Sequence, residues 1–176
     1  MLQPGVTINE KKQELNKMFN VRVYGVLWDK QKRVLLSDEF IRGAYITKFP
    51  GGGLEFGEGT RDCLKREFAE ETGLVVTIGE HLYTTDFFQI SAFNNKYQII
   101  SIYYFVHGAE PIGLTTKTAV FDFEPYQVAD PNGESEVFRW VDWNDLNEEC
   151  LTLPIDKVVA KLLKEKYREA YLKFIP

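Results

Sequence analysis

Glu67, Glu70 and Glu71 stand at i, i+3 and i+4 in the run Arg66-Glu67-Phe68-Ala69-Glu70-Glu71. On a helix turning about 100° per residue, those spacings place three carboxylates on one face. Like charges crowded there repel unless a cation neutralises them. Carboxylates are hard oxygen ligands, so Mg2+ or Mn2+ is the suited partner. The competing reading is a solvated helix face laced with ion pairs, with Arg66 or Lys65 as partners. Gly51-Gly52-Gly53 upstream favours the metal site, because a solvated helix has no need of a glycine loop before it.

The surrounding residues must position that face. Pro50 removes a backbone donor and the glycines free the backbone, so Pro50–Gly53 reads as an irregular loop that continues through Gly57-Glu58-Gly59. Thr60 reads as an N-cap, with Asp62 in the first turn where the helix dipole favours an acid. Leu64 and Phe68 form an apolar pair that can pack on a sheet. Gly73 reads as the residue that ends the helix, and Val75-Val76-Thr77-Ile78 opens a strand. The unit is strand, glycine loop, helix, strand.

This run resembles the signature of the Nudix hydrolases, G-x5-E-x7-R-E-U-x-E-E-x-G-U, where U is a bulky apolar residue. Gly52, Glu58, Arg66, Glu67, Glu70, Glu71 and Gly73 match its fixed positions, and Phe68 and Leu74 its apolar ones. Phe68 is aromatic where an aliphatic is commoner. Many fixed positions separated by fixed gaps make the match far more specific than a lone glycine motif.

The resemblance implies an α/β (α+β) chain with the Nudix fold, an α/β/α sandwich around a mixed sheet. It implies metal-dependent hydrolysis of a nucleoside diphosphate linked to another moiety, such as a nucleoside triphosphate, ADP-ribose or a nucleotide sugar. Glu67, Glu70 and Glu71 correspond to the metal-binding set, with Glu67 also a candidate for the base that takes a proton from water. Gly51 corresponds to a residue that gives its backbone carbonyl to the metal. Arg66 and Glu58 correspond to a pair that ties loop to helix. Many members use a further acid from a later loop, and Glu134 and Glu136 are the candidates here, with Asp130 behind them. Ordinary loop and strand-start acids are an equal reading of each.

Composition sets the outer limits. The 176 residues suffice for one domain, 1–176, with a substantial core. The hydrophobic share of 44% indicates a folded chain. A net charge of −5 disfavours nucleic acid as a partner, while a phosphorylated small molecule can still bind through metal ions. No apolar run approaches the roughly 18 residues of a membrane span, and the N-terminus lacks the pattern of a signal peptide. Two cysteines, Cys63 and Cys150, do not make a disulfide scaffold, so a cytoplasmic location is expected. A homodimer is compatible with all of this.

The remaining elements follow from periodicity. Strands are expected at Phe19–Asp29, Arg33–Ser37, Ala44–Phe49, Val75–Ile90, Tyr97–His107 and Glu136–Asp142, with loops at Asp38–Gly43 and Gly108–Glu134. Part of that second loop, near Thr118–Phe123, also has a strand pattern. Trp143–Glu149 reads as a short helix, and Asn9–Met18 as a helical turn or two. Ile155, Val158, Val159, Leu162, Leu163, Tyr167 and Tyr171 keep a helical period after Pro154. Two rival functions compete with hydrolysis. One is a catalytically idle nucleotide-sensing Nudix domain, which would not require the intact glutamate set. The other is an isomerase, for which Cys63 inside the helix is badly placed.

Overall fold

The computed structural model describes residues 17–166. Within these residues seven strands run β1 (Met18–Leu27), β2 (Arg33–Ile41), β3 (Ala44–Lys48), β4 (Gly51–Gly53), β5 (Val76–Thr84), β6 (Tyr97–Gly108) and β7 (Glu134–Asp142). Helix α1 (Thr60–Thr72) follows β4, and α2 (Pro154–Lys166) follows β7. The strands form a four-stranded sheet, β4-β1-β6-β5, and a three-stranded one, β3-β2-β7. The first is mixed, since β1 is parallel to β6 but antiparallel to β4. The second is antiparallel throughout.

Strand alternation assigns each helix a side. On β1, Val23 and Leu27 join Cys63, Leu64 and Phe68 of α1 in one core. Tyr24 and Val26 turn the other way and meet Ile155, Val159, Ala160 and Leu163 of α2 in a second core. Helices on opposite faces of a sheet make the α/β/α arrangement. Phe68 seats its ring against Gly25, where a Cβ would lie 2.7 Å from the ring. That missing side chain is why an aromatic fits here.

Several boundaries differ from expectation. β2 continues through Asp38 and Glu39 to Ile41, because Phe40 and Ile41 resume the apolar strand pattern and β7 pairs with the full length. Gly51–Gly53 is not irregular but a short strand on β1. The residue preceding α1 is Gly59 rather than Thr60, whose hydroxyl instead meets the Tyr104 hydroxyl at 2.8 Å. β5 stops at Thr84, and only Ile90 bridges again, to Gln98. No strand forms at Thr118–Phe123, where Phe121 has a φ of 55°. Trp143–Glu149 is a turn followed by one 3-10 turn at Glu148–Cys150 rather than a helix. The expected turns at Asn9–Met18 fall almost wholly outside the described residues, as do Tyr167 and Tyr171, while Met18 itself starts β1.

Candidate metal and active site

Gly51 and Gly52 set the floor of the site. Gly51 has a φ of 129°, and a Cβ there would lie 2.2 Å from the Val23 carbonyl oxygen, so only glycine lets the chain press onto β1. Gly52 is required for a different reason. Its missing Cβ leaves room for the Glu67 carboxylate, which a side chain would meet at 2.5 Å. The fixed glycine of the motif is thus the seat of one of its glutamates.

Arg66 binds the loop to the helix. Its Nε donates to Glu58 Oε2 at 3.1 Å and its guanidinium to Glu58 Oε1 at 2.7 Å, a two-pronged pair. It also donates to the Gly53 carbonyl at 3.0 Å, to Glu67 Oε1 at 3.0 Å and to Glu70 Oε2 at 3.0 Å. Arg66 holds the Glu58 carboxyl down at about 2. Cys63 is buried beneath this pair, and burial, with Glu58 beside it, pushes its thiol up to about 12. A thiol held neutral is a packing group, not a nucleophile.

The three glutamates of α1 sit in three different environments. Glu70 stays 60% exposed and answers only to Arg66. Glu67 lies over Gly52 beside Arg66. Glu71 turns inward and gathers with Glu39 of β2 and Glu136 of β7, one oxygen of each within 4.8 Å of the others. Its Oε2 is buried without a hydrogen-bond partner. Burial raises the Glu71 carboxyl to about 7; Lys48 opposes that rise, and Glu136 and Glu67 add to it. Burial also raises Glu136, whose Oε1 accepts from the Ser37 hydroxyl.

Lys48, at the end of β3, is the cation among these acids. Its Nζ donates to the Gly51 carbonyl at 2.7 Å and lies 2.9 Å from Glu39 Oε1 and 3.9 Å from Glu136 Oε1, with 3% of the side chain exposed. Burial by itself would lower its pKa, but Glu39, Glu71 and Glu136 together outweigh burial and hold it above the ordinary lysine value.

The other expected acids stand outside the cluster, although Glu134 lines the cavity beside it. Glu134 is 60% exposed at 3.4 Å from Arg42. Asp130 is exposed and accepts from the Asn132 backbone in its own turn. Two site residues escaped the sequence reading, Glu39 and Lys48. The apolar Phe40-Ile41 after Asp38-Glu39 was the available sign that the strand ran on and carried Glu39 with it. Lys48 had no such sign, since lysine at a strand end is ordinarily solvated.

Beside the cluster opens a cavity of about 340 Å3 lined by Arg22, Tyr24, Glu39, Lys48, Tyr103 and Asp156, among others. Asp156, in the first turn of α2, is fully buried. Its Oδ1 accepts from the Tyr103 hydroxyl at 2.7 Å, and its Oδ2 has no partner. Burial raises this carboxyl to about 7.

An all-oxygen cluster with a buried, unpartnered carboxylate oxygen suits a hard divalent cation. The NUDIX domain family matches residues 18–162. The chain belongs to the NUDIX family. The crystal structure of a MutT protein from Methanosarcina mazei superposes on this NUDIX domain with a TM-score of 0.62 at 16% identity, covering 86% of this chain and 97% of that one. A NUDIX hydrolase from Nitrosomonas europaea gives 0.57 at 18% identity over 82% and 88%. MutT NUDIX hydrolase from Burkholderia pseudomallei gives 0.56 at 17% over 82% and 98%. At these identities the likeness concerns the NUDIX fold. No curated protein matches the sequence. NUDIX hydrolases typically use a divalent metal, and this chain gathers the carboxylates of Glu39, Glu71 and Glu136 in one cluster. Among the described residues, no helix of this NUDIX domain is long and apolar enough to cross a membrane.

Proposed function

We propose that this chain is a single-domain, divalent-metal-dependent pyrophosphohydrolase acting on a nucleoside diphosphate linked to another moiety. The observation that carries the reading is the unpartnered Glu71 Oε2 inside the Glu39, Glu71 and Glu136 cluster, next to a cavity of nucleoside size. Glu71 and the Gly51 carbonyl would hold the ion, with Glu67 beside them. A bound Mg2+ or Mn2+ supplies charge neutralisation for the phosphates and acidifies water. Arg66 keeps Glu67 in place by donating to its Oε1, and ties the loop to the helix through Glu58. Glu136, raised by burial, is the better acceptor of the proton from attacking water. Glu67 Oε1 already accepts from Arg66. The cavity takes the nucleoside. With Cys63 and Cys150 both free, a reducing cytoplasm suits the chain.

A panel of nucleoside diphosphate derivatives, incubated with Mg2+ in 18O-labelled water, tests this. Cleavage with label on a phosphorus-containing product supports it; label on the carbon of the other moiety refutes it. A second reading, a nucleotide-binding domain without hydrolysis, draws on the Lys48 ammonium already seated on the Gly51 carbonyl. It predicts saturable binding of the same ligands with no product.

A further inference from the structure

We propose that Lys48 is a built-in cation of the acid cluster, and that a divalent ion enters by exchange with it at the Gly51 carbonyl. This rests on the reading that the cluster binds a divalent ion. The Lys48 side chain is only 3% exposed, and its ammonium faces oxygens: Gly51 at 2.7 Å, Glu39 at 2.9 Å and Glu136 at 3.9 Å. The face of the Tyr24 ring lies 5.5 Å away. Buried carboxylates without a cation repel and resist desolvation, so the ammonium is what lets the metal-free protein keep Glu39 and Glu136 inside.

One positive charge does not balance three carboxylates, and the ammonium makes no bond to Glu71 Oε2. The cluster therefore keeps capacity for a second cation while its carbonyl donor is taken. Two cations around one carbonyl repel at short range. The lysine stem is flexible, and Glu39 gives the ammonium an anchor on the cavity side that does not require Gly51. Lys48 thus holds the Gly51 carbonyl pointed into the site until the ion replaces it, and sets the ion's affinity. It is a positioning residue.

The test measures ion binding, not turnover. Mn2+ titrations followed by electron paramagnetic resonance compare the parent, Lys48→Met, Lys48→Arg and Glu71→Gln. Lys48→Met should bind Mn2+ at least about tenfold more tightly than the parent, because a repelling charge is gone. Lys48→Arg should stay within about threefold of the parent, since it keeps the charge. Melting of Lys48→Met without metal should fall, and saturating Mg2+ should restore more of it than it adds to the parent. Unchanged or weaker Mn2+ binding by Lys48→Met overturns the proposal.

Should Lys48→Met fail to fold, the parent labelled with 13C at lysine Cε decides. The Lys48 resonance should shift in step with Mg2+ occupancy, and a resonance unmoved at saturation overturns the exchange. Glu71→Gln separates the two layers of inference. If it binds Mn2+ as the parent does, the metal-site reading itself fails; if it binds weakly while Lys48→Met shows no gain, only the role of Lys48 fails.

Discussion

Glu71 concentrates the tension of the site in one side chain. It is half-buried, is raised to about 7 and has a buried oxygen without a partner. Glu71→Gln keeps the shape and removes the charge. With Mg2+ and a cleaved substrate, kcat should drop at least about a hundredfold, as expected for a ligand or catalytic group. Melting of the metal-free protein should stay the same or rise, because repulsion is relieved. A rate within a few-fold of the parent would remove Glu71 from the site. Asp156 and Glu71 also carry a pH signature. Both have folded pKa values near 7, above their ordinary 3.8 and 4.5. The folded state therefore holds protons that the unfolded state releases. The resulting stability is complete below the ordinary values and is lost as pH rises through about 7. Metal-free protein should melt higher at about pH 6 than at about pH 8 in differential scanning calorimetry. Asp156→Asn, still able to accept from Tyr103, should flatten that slope, and an equally steep slope in the variant would contradict the assignment.

The loop Gly51–Gly59 and helix α1 form one unit through Arg66. Removing it with Arg66→Ala leaves Glu58 without its two-pronged partner and takes one of the donors from the Gly53 carbonyl. Calorimetry without metal should show a lower melting temperature, opposite to Glu71→Gln, and activity should fall as well. Equal shifts in the two variants would erase the distinction between a residue that orients and one that holds the ion. The two glycines of the loop should also separate. Gly51→Ala collides with the Val23 backbone at a φ of 129°, so it should cost about 2 kcal/mol or more in denaturant unfolding. Gly52→Ala meets only the end of the Glu67 side chain, which can swing away. Its stability should change little while its activity drops.

At the scale of the molecule, the site is where two sheets and helix α1 come close: β4 and α1 bring Gly51, Glu67 and Glu71, while β2, β3 and β7 bring Glu39, Lys48 and Glu136. An ion binding only the assembled cluster stabilises the fold by linkage. Mg2+ should raise the melting temperature and reduce the pH slope, and excess EDTA should return both to metal-free values and abolish turnover. Full turnover in EDTA by metal-stripped protein would refute a metal-dependent reaction.

The contiguous stretch Gly52–Leu74 was legible because its constraints are local. Helical spacing, a left-handed Gly73 closing α1 with its amide on Ala69, and the seat at Gly52 all lie within a few turns of chain. Alternation on β1 likewise predicted that Val23 would face one way and Tyr24 and Val26 the other, since strand period needs no knowledge of partners. Local spacing suggested three glutamates on one face, yet only tertiary packing decided that Glu71 turns inward, Glu67 covers Gly52 and Glu70 remains in solvent. Glu39 and Lys48 depended on it entirely. Glu39 reaches the site because β7 pairs along all of β2, and Lys48 is buried because acids from strands far apart in sequence surround it. Side-chain charge is written in the sequence, but burial, and so the pKa and the need for a counter-ion, is a property of what the folded chain places around it.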